Sequence, residues 1–312
     1  MATKKPKSSA KTSSKSKSTT KPKTAANTAV KPVSEAPKTN PVEKVETVET
    51  TENKSIFKGF FSKKYEEKES ILTIFKKPKF YGSLLGEALG TMLIALALFA
   101  LSTWSIAYAS WFVVALIAIY IAVYAFSGAC LNPIVTVGMM ASRRMSVIRG
   151  VMYIIAEIVG AWLGWLIFNG FHVAAGESAM EVVSMTAVGE NQFWVFAMLE
   201  LLGACIIAFF YARALKYKRS VFTFGAVAAG GVLLAILVGY IASAGFFQLN
   251  NNFIFNPAVA LMMQIFPTAG ENFGEIMGGV CQALSIYVLL PMVGGAIGFC
   301  LSDFAGKLSA EE

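Results

Sequence analysis

The chain has 312 residues, 55% of them hydrophobic and 15% charged, with a mean hydropathy of +0.59. A soluble globular domain carries about 25% charged residues, so a single soluble enzyme is excluded, as is disorder over most of the chain. The net charge of +8 belongs to one end: residues 1–79 hold 19 of the 27 Lys and Arg but only 8 of the 19 Asp and Glu, and residues 80–312 are net negative.

Residues 1–54 are Lys, Ser, Thr, Pro and Ala with almost no large apolar residue. Such a composition cannot bury enough surface to offset chain entropy, and it predicts a disordered cytoplasmic tail. No apolar run follows the first lysines, so a secretory signal is not expected. The block KKPKSSAKTSSKSKSTTKPK has the composition of basic nucleic-acid-binding tails. The reading adopted is a solvated tail near anionic lipid, and nucleic-acid binding is not expected. In residues 55–79, Ile56, Phe57, Phe60 and Phe61 recur at helical spacing among Lys58, Lys63 and Lys64. The pattern fits either a basic amphipathic juxtamembrane helix or a linker.

A spanning helix needs about 20 mostly apolar residues. Six stretches qualify, near 81–103, 107–126, 147–169, 192–214, 220–246 and 283–303. Two further apolar stretches, 130–142 and 254–266, are too short to span, and an Asn-Pro pair stands near the start of each. Arg143, Arg144 and Arg149 lie between the second and third spans, and Arg213, Lys216, Lys218 and Arg219 between the fourth and fifth. Lys76, Lys77 and Lys79 precede the first span, and Lys307 follows the last. The remaining loops carry Glu and no Lys or Arg. The positive-inside rule therefore puts both termini in the cytoplasm of a multi-pass cell-membrane protein. The body is assigned to residues 80–305, and 306–312 form a short cytoplasmic end.

The two halves of the body repeat each other. Glu87-Ala-Leu-Gly90 matches Glu200-Leu-Leu-Gly203 at the opening of the first and fourth spans. Asn132-Pro133-Ile134 matches Asn256-Pro257-Ala258 after the second and fifth. Val159-Gly160-Ala161 with Gly164 matches Val293-Gly294-Gly295 with Gly298 in the third and sixth. Three spans per half is an odd number, so the halves lie in opposite senses across the membrane, with the working site near the midplane. The glycines are expected to bring helices close together.

Each short stretch must enter and leave on one side, and irregular backbone at that depth is tolerated only beside a cavity or inside protein. Asn is a good helix N-cap and Pro fits the first helical turn. Each pair therefore opens a half-helix, and inversion points the two N-termini at each other. Their partial positive charges repel cations and hydrated protons, while the Asn amides offer donors to a passing oxygen. Water and neutral hydroxylic solutes suit such a site.

These features resemble the aquaporin, or major intrinsic protein, family across roughly residues 80–305. The resemblance implies an all-α membrane fold of six transmembrane helices and two re-entrant half-helices in an inverted repeat. It also implies a channel for water or small solutes such as glycerol, a homotetramer and no cofactor. Residues 127–136 match the family's first signature, with Cys130 where His is usual and Ile134 where Ala is usual. Glu87 and Glu200 match glutamates that brace the half-helix loops, and Glu157 stands where the family often has Gln. The family's outer constriction maps to Phe112, twenty residues before Asn132, and to Phe253. On the fifth span it maps to Ala244, or to Ile236 if the alignment is gapped; water-selective members usually have His there and glycerol-conducting members Gly. Its fourth position is Val259, where the family almost always has Arg, and the glycerol-type Asp is replaced by Ala260. Without the arginine the pore is expected to be either wider and apolar or dewetted and closed.

Cys130, Cys205, Cys281 and Cys300 are far apart and His172 is the only histidine, so neither a zinc site nor a disulfide framework is expected. No nucleophile–base pair suggests an enzyme. Two alternatives to a passive channel stay open: a poorly conducting structural or tethering protein, and a coupled transporter using Glu87, Glu157 or Glu200.

Overall fold

The computed structural model describes residues 71–103, 109–176, 190–217, 220–247, 253–263 and 273–309, and every element among them is helical. The expected disordered tail, and the aromatic residues 56–61 expected to form an amphipathic helix, lie outside the described residues.

A short helix, α1 (Ile71–Phe75), leads into α2 (Pro78–Thr103). Then come α3 (Ala109–Ser127), the half-helix α4 (Pro133–Ala141) and α5 (Val147–Ala174). The second half is α6 (Glu190–Ala214), α7 (Val221–Tyr240), the half-helix α8 (Pro257–Met263), α9 (Phe273–Leu284) and α10 (Leu290–Leu308). Among the described residues, six segments are long and apolar enough to cross a membrane: Pro78–Ala100, Ser110–Ser127, Val147–Ala174, Gln192–Tyr217, Val221–Phe246 and Ile276–Leu308.

The sixth segment starts earlier than the hydropathy suggested. Helix α9 joins α10 through a π-helical turn, Ser285–Leu289, and Pro291 follows at once. Proline lacks the N–H that a regular turn needs and its ring collides with the carbonyl four residues back, here Tyr287; a wider turn relieves both. A second π-turn, Ile241–Phe246, ends the fifth span.

The repeat seen in the sequence recurs in the packing. Helix α2 packs on α5 as α6 packs on α10, and α2 meets α3 as α6 meets α7. Half-helix α4 lies against α10 while α8 lies against α5, and α3 meets its own counterpart α7. Glycines make the tight seams. A Cβ on Gly160 would strike the Ala88 carbonyl oxygen, and one on Gly294 would strike that of Leu201. One turn further on, Gly164 faces the Met92 carbonyl and Gly298 that of Cys205. Outward faces are apolar: Trp111, Phe171, Trp194 and Phe222 are each at least 65% exposed. That surface suits lipid, in which every buried backbone group must find a partner inside the bundle.

Candidate functional site

The site begins with two strained loops. Leu131 (φ 55°) and Phe255 (φ 52°), each directly before an Asn-Pro pair, both adopt the left-handed conformation that bulky residues avoid. A carboxylate holds each loop there. Glu87 Oε1 accepts from the Cys130 amide at 3.1 Å and Oε2 from the Leu131 amide at 2.6 Å. Glu200 does the same for Ile254 (2.6 Å) and Phe255 (3.2 Å). Both glutamates are buried, and these bonds satisfy backbone donors that no helix can serve.

The loops then hand over to the half-helices. Asn132 Oδ1 accepts from the Ile134 amide at 2.9 Å and Asn256 Oδ1 from the Ala258 amide at 3.1 Å, with Pro133 and Pro257 in the first turn. The amide nitrogens reach across the repeat: Asn132 Nδ2 donates to the Phe255 carbonyl at 2.8 Å and Asn256 Nδ2 to the Leu131 carbonyl at 3.4 Å. An Asn amide has two N–H groups, so one of each ties the half-helix ends together and one is left over.

The adjoining backbone is more informative. The Ser127 carbonyl accepts from Tyr153 and the Gly128 carbonyl from Tyr211, at 3.1 and 2.8 Å. Among the described residues, nothing donates to the carbonyls of Ala129, Cys130, Phe253 or Ile254. They form two matched pairs, one on each side of the Asn pair. The two sides differ in access. Ala129 and Cys130 are at most 1% exposed, whereas Phe253 and Ile254 are half-buried.

Glu157, the third intramembrane glutamate, is buried and accepts at Oε1 from Thr136 Oγ1 of α4 at 2.6 Å. It therefore pins the half-helix itself to α5. Cys130, in the position usual for histidine, is buried with the Tyr211 hydroxyl 3.9 Å from its sulfur.

The four residues expected at the constriction fall in different surroundings. Phe112 belongs to one apolar cluster with Ile236 and Phe255, and Phe253 packs on it. Val259 is fully buried in another cluster, with Ala95, Phe99, Ala161 and Phe168. Ala244 lies in the π-turn of the fifth span. The residue of that span that meets Phe253 is Gly239: a Cβ there would lie 3.1 Å from both the Phe253 and Phe255 rings, which stack 5.0 Å apart. Gly239 was not among the residues singled out from the sequence. Its available signal was a glycine inside an otherwise large-residue stretch of the fifth span. Ile134 is fully buried and its backbone meets Gly295 of α10.

Among the described residues, no group of three His, Cys, Asp or Glu side chains is arranged to hold a metal.

The structure resembles that of the aquaglyceroporin from Plasmodium falciparum, with a TM-score of 0.50, 17% identity, and coverage of 73% of this chain and 96% of that one. At that identity the likeness shows the fold. Over 44 residues the chain is 54% identical to aquaporin-1 of Sus scrofa, a stretch covering 14% of this chain and 16% of that protein. Over 181 residues it is 27% identical to the probable aquaporin TIP1-2 of Oryza sativa subsp. japonica, covering 57% of this chain and 62% of the relative. The matches thus span less than two thirds of these curated relatives. The family model described as Major intrinsic protein matches residues 74–301. That range takes in both braced loops, both Asn-Pro caps and the glycine seams between the halves, and the chain belongs to the major intrinsic protein family.

Proposed function

We propose that the chain is a passive channel for water and small uncharged solutes such as glycerol, working as a homotetramer in the cell membrane with both termini cytoplasmic. The observation that carries this reading is the set of four carbonyls to which no described residue donates, two on either side of the paired Asn amides. At membrane depth such acceptors are tolerable only where a polar molecule can reach them. Together with the spare Asn N–H groups they mark a single file of hydrogen-bonding stations. The facing N-termini of α4 and α8 oppose cations along it.

The deciding experiment is stopped-flow light scattering on proteoliposomes under sucrose and then glycerol gradients. Fast shrinkage in sucrose, with a low activation energy, establishes a water pore. Fast re-swelling in glycerol extends it to small polyols. Rates equal to those of empty liposomes for both solutes sink the channel reading, and solute-driven proton flux would favour a coupled transporter.

Val259 makes a specific prediction. Among the described residues its side chain is buried in an apolar cluster, so Val259→Arg puts a charge into an apolar setting, at a cost of about 2.5–3.5 kcal/mol on insertion scales. The variant is expected to melt several degrees lower, with no gain in water-over-glycerol selectivity. A variant of unchanged melting temperature that excludes glycerol and still passes water would instead put Val259 on the solute path.

A second reading has its own observation. On the Arg144 side, Tyr211 donates to the Gly128 carbonyl, and its ring joins Phe224, Tyr120 and Tyr124 in an aromatic group with centroids 4.5–6.0 Å apart. Together with the burial of Ala129 and Cys130, this supports a channel narrowed on that side. On this reading Tyr211→Ala raises water flux several-fold above wild type in the same proteoliposome assay. Equal flux in the two proteins would mean that Tyr211 does not obstruct the path.

A further inference from the structure

At the Arg144 end of the bundle, a cavity of about 540 Å³ lies where the end of α4, the end of α6 and the last turns of α10 meet. Its polar lining is Arg144, Lys216, Lys307, Ser302 and one acid, Asp303. That acid is already engaged. Arg144 Nη2 donates to Asp303 Oδ1 at 2.5 Å, and the same guanidinium lies 5.4 Å above the Phe299 ring. Arg144 and Asp303 therefore form a fixed, neutral floor.

Two cations, Arg213 and Lys216, converge at Gly306. A Cβ built on Gly306 would sit 3.7 Å from Arg213 Nη1 and 3.7 Å from Lys216 Nζ. Both charges thus approach one point, and glycine is the residue that leaves this point empty. The positive-inside rule accounts for basic residues at this end. It does not account for their turning onto a shared hollow, where like charges repel unless an anion lies between them. The volume falls within the range of about 300–1,000 Å³ typical of small-molecule sites. An ammonium and a guanidinium facing one point suit an oxyanion with several acceptor oxygens, which takes charge-assisted hydrogen bonds from both.

We propose that this cavity binds a phosphate group, carried by the headgroup of an anionic lipid or free in solution. Lys216 lines the cavity and Arg213 reaches the same point from beside Gly306, so these two supply the charge; Gly306 provides the space, and Ser302 and the Arg144–Asp303 pair form the wall. The site is separate from the Asn-Pro stations and does not depend on the channel reading.

The test uses the full chain in phosphatidylcholine nanodiscs and reads thermal unfolding. One arm adds inorganic phosphate at constant ionic strength set with chloride. The other replaces part of the phosphatidylcholine with phosphatidic acid. A higher melting temperature in the first arm identifies free phosphate, and a rise confined to the second identifies a lipid headgroup; either supports the site. Lys216→Gln, which alters an exposed side chain, and Gly306→Leu, which fills the point without changing charge, are each expected to remove the rise. Lys79→Gln, an exposed cation on α2, is expected to keep it. No rise in either arm overturns the proposal. So does an undiminished rise in Lys216→Gln and Gly306→Leu, or an equal loss in Lys79→Gln, which would reduce the effect to general surface charge. The melting temperatures of the variants without added anion show whether each has folded.

Discussion

Replacing Glu200 by alanine is expected to lower the melting temperature by roughly 5–20 °C and to cut solute flux about tenfold or more. The carboxylate accepts from the amides of Ile254 and Phe255, and nothing else in the described structure is placed to do so. Each orphaned buried N–H costs about 1–3 kcal/mol. The left-handed Phe255 also loses its restraint, and with it the carbonyl to which Asn132 donates. One term opposes these: an isolated carboxylate is itself costly to bury, and its removal offsets part of the loss. Glu200→Gln separates the contributions. It keeps one carbonyl oxygen as acceptor, discards the charge and is expected to fall between wild type and alanine. Glu87→Ala is expected to act in the same way on the matching loop, through Cys130 and Leu131. Differential scanning fluorimetry beside the flux assay checks both. An alanine variant with wild-type stability and flux would mean that the loops hold their shape without the carboxylates.

Gly294→Leu is expected to cost about 3 kcal/mol or more, at the upper end of overpacking effects. The obstacle is the main chain of α6: the new Cβ would meet the Leu201 carbonyl and come within 2.9 Å of the Ala204 Cβ. A flexible side chain could turn aside, but a helix backbone cannot, so α10 would have to lift off α6 along the seam. Gly160→Leu is expected to do the same to α5 on α2, against Ala88. Gly230→Ala is the internal control. Nothing lies within 4 Å of its built Cβ, so the change is expected to be neutral or to stabilise α7 by up to about 1 kcal/mol. Unfolding midpoints and monodispersity of the three purified variants decide the matter. Equal behaviour of Gly294→Leu and Gly230→Ala would refute the close-approach account.

The contrast between these glycines shows what kind of information a sequence holds. Gly160, Gly164, Gly294 and Gly298 could be matched by eye because the repeat places them in register. Gly230 lies in an equally glycine-rich span and meets nothing. Register within a repeat is written along the chain, but contact is not. The π-turn at Ile241–Phe246 gives a second case. Such a turn inserts an extra residue into the helix and rotates everything beyond it, and no local signal in the sequence marks it.

The sequence by itself determined the six apolar spans, the inverted halves, the two Asn-Pro caps and the matched positions of Glu87 and Glu200. These rest on local composition, local capping chemistry and self-similarity, all of which survive without coordinates; that the two glutamates brace the loops was implied by the family resemblance. Only the tertiary structure decided that Tyr211 takes the Gly128 carbonyl, that Glu157 holds Thr136 and that Val259 sits in an apolar cluster. It also decided that Arg213 and Lys216 converge over Gly306. Each of these joins residues from different helices, and their meeting depends on how far each helix is rotated and how closely it packs. Apolar helices with no strong polar face leave that rotation undetermined until glycine seams and buried hydrogen bonds select it.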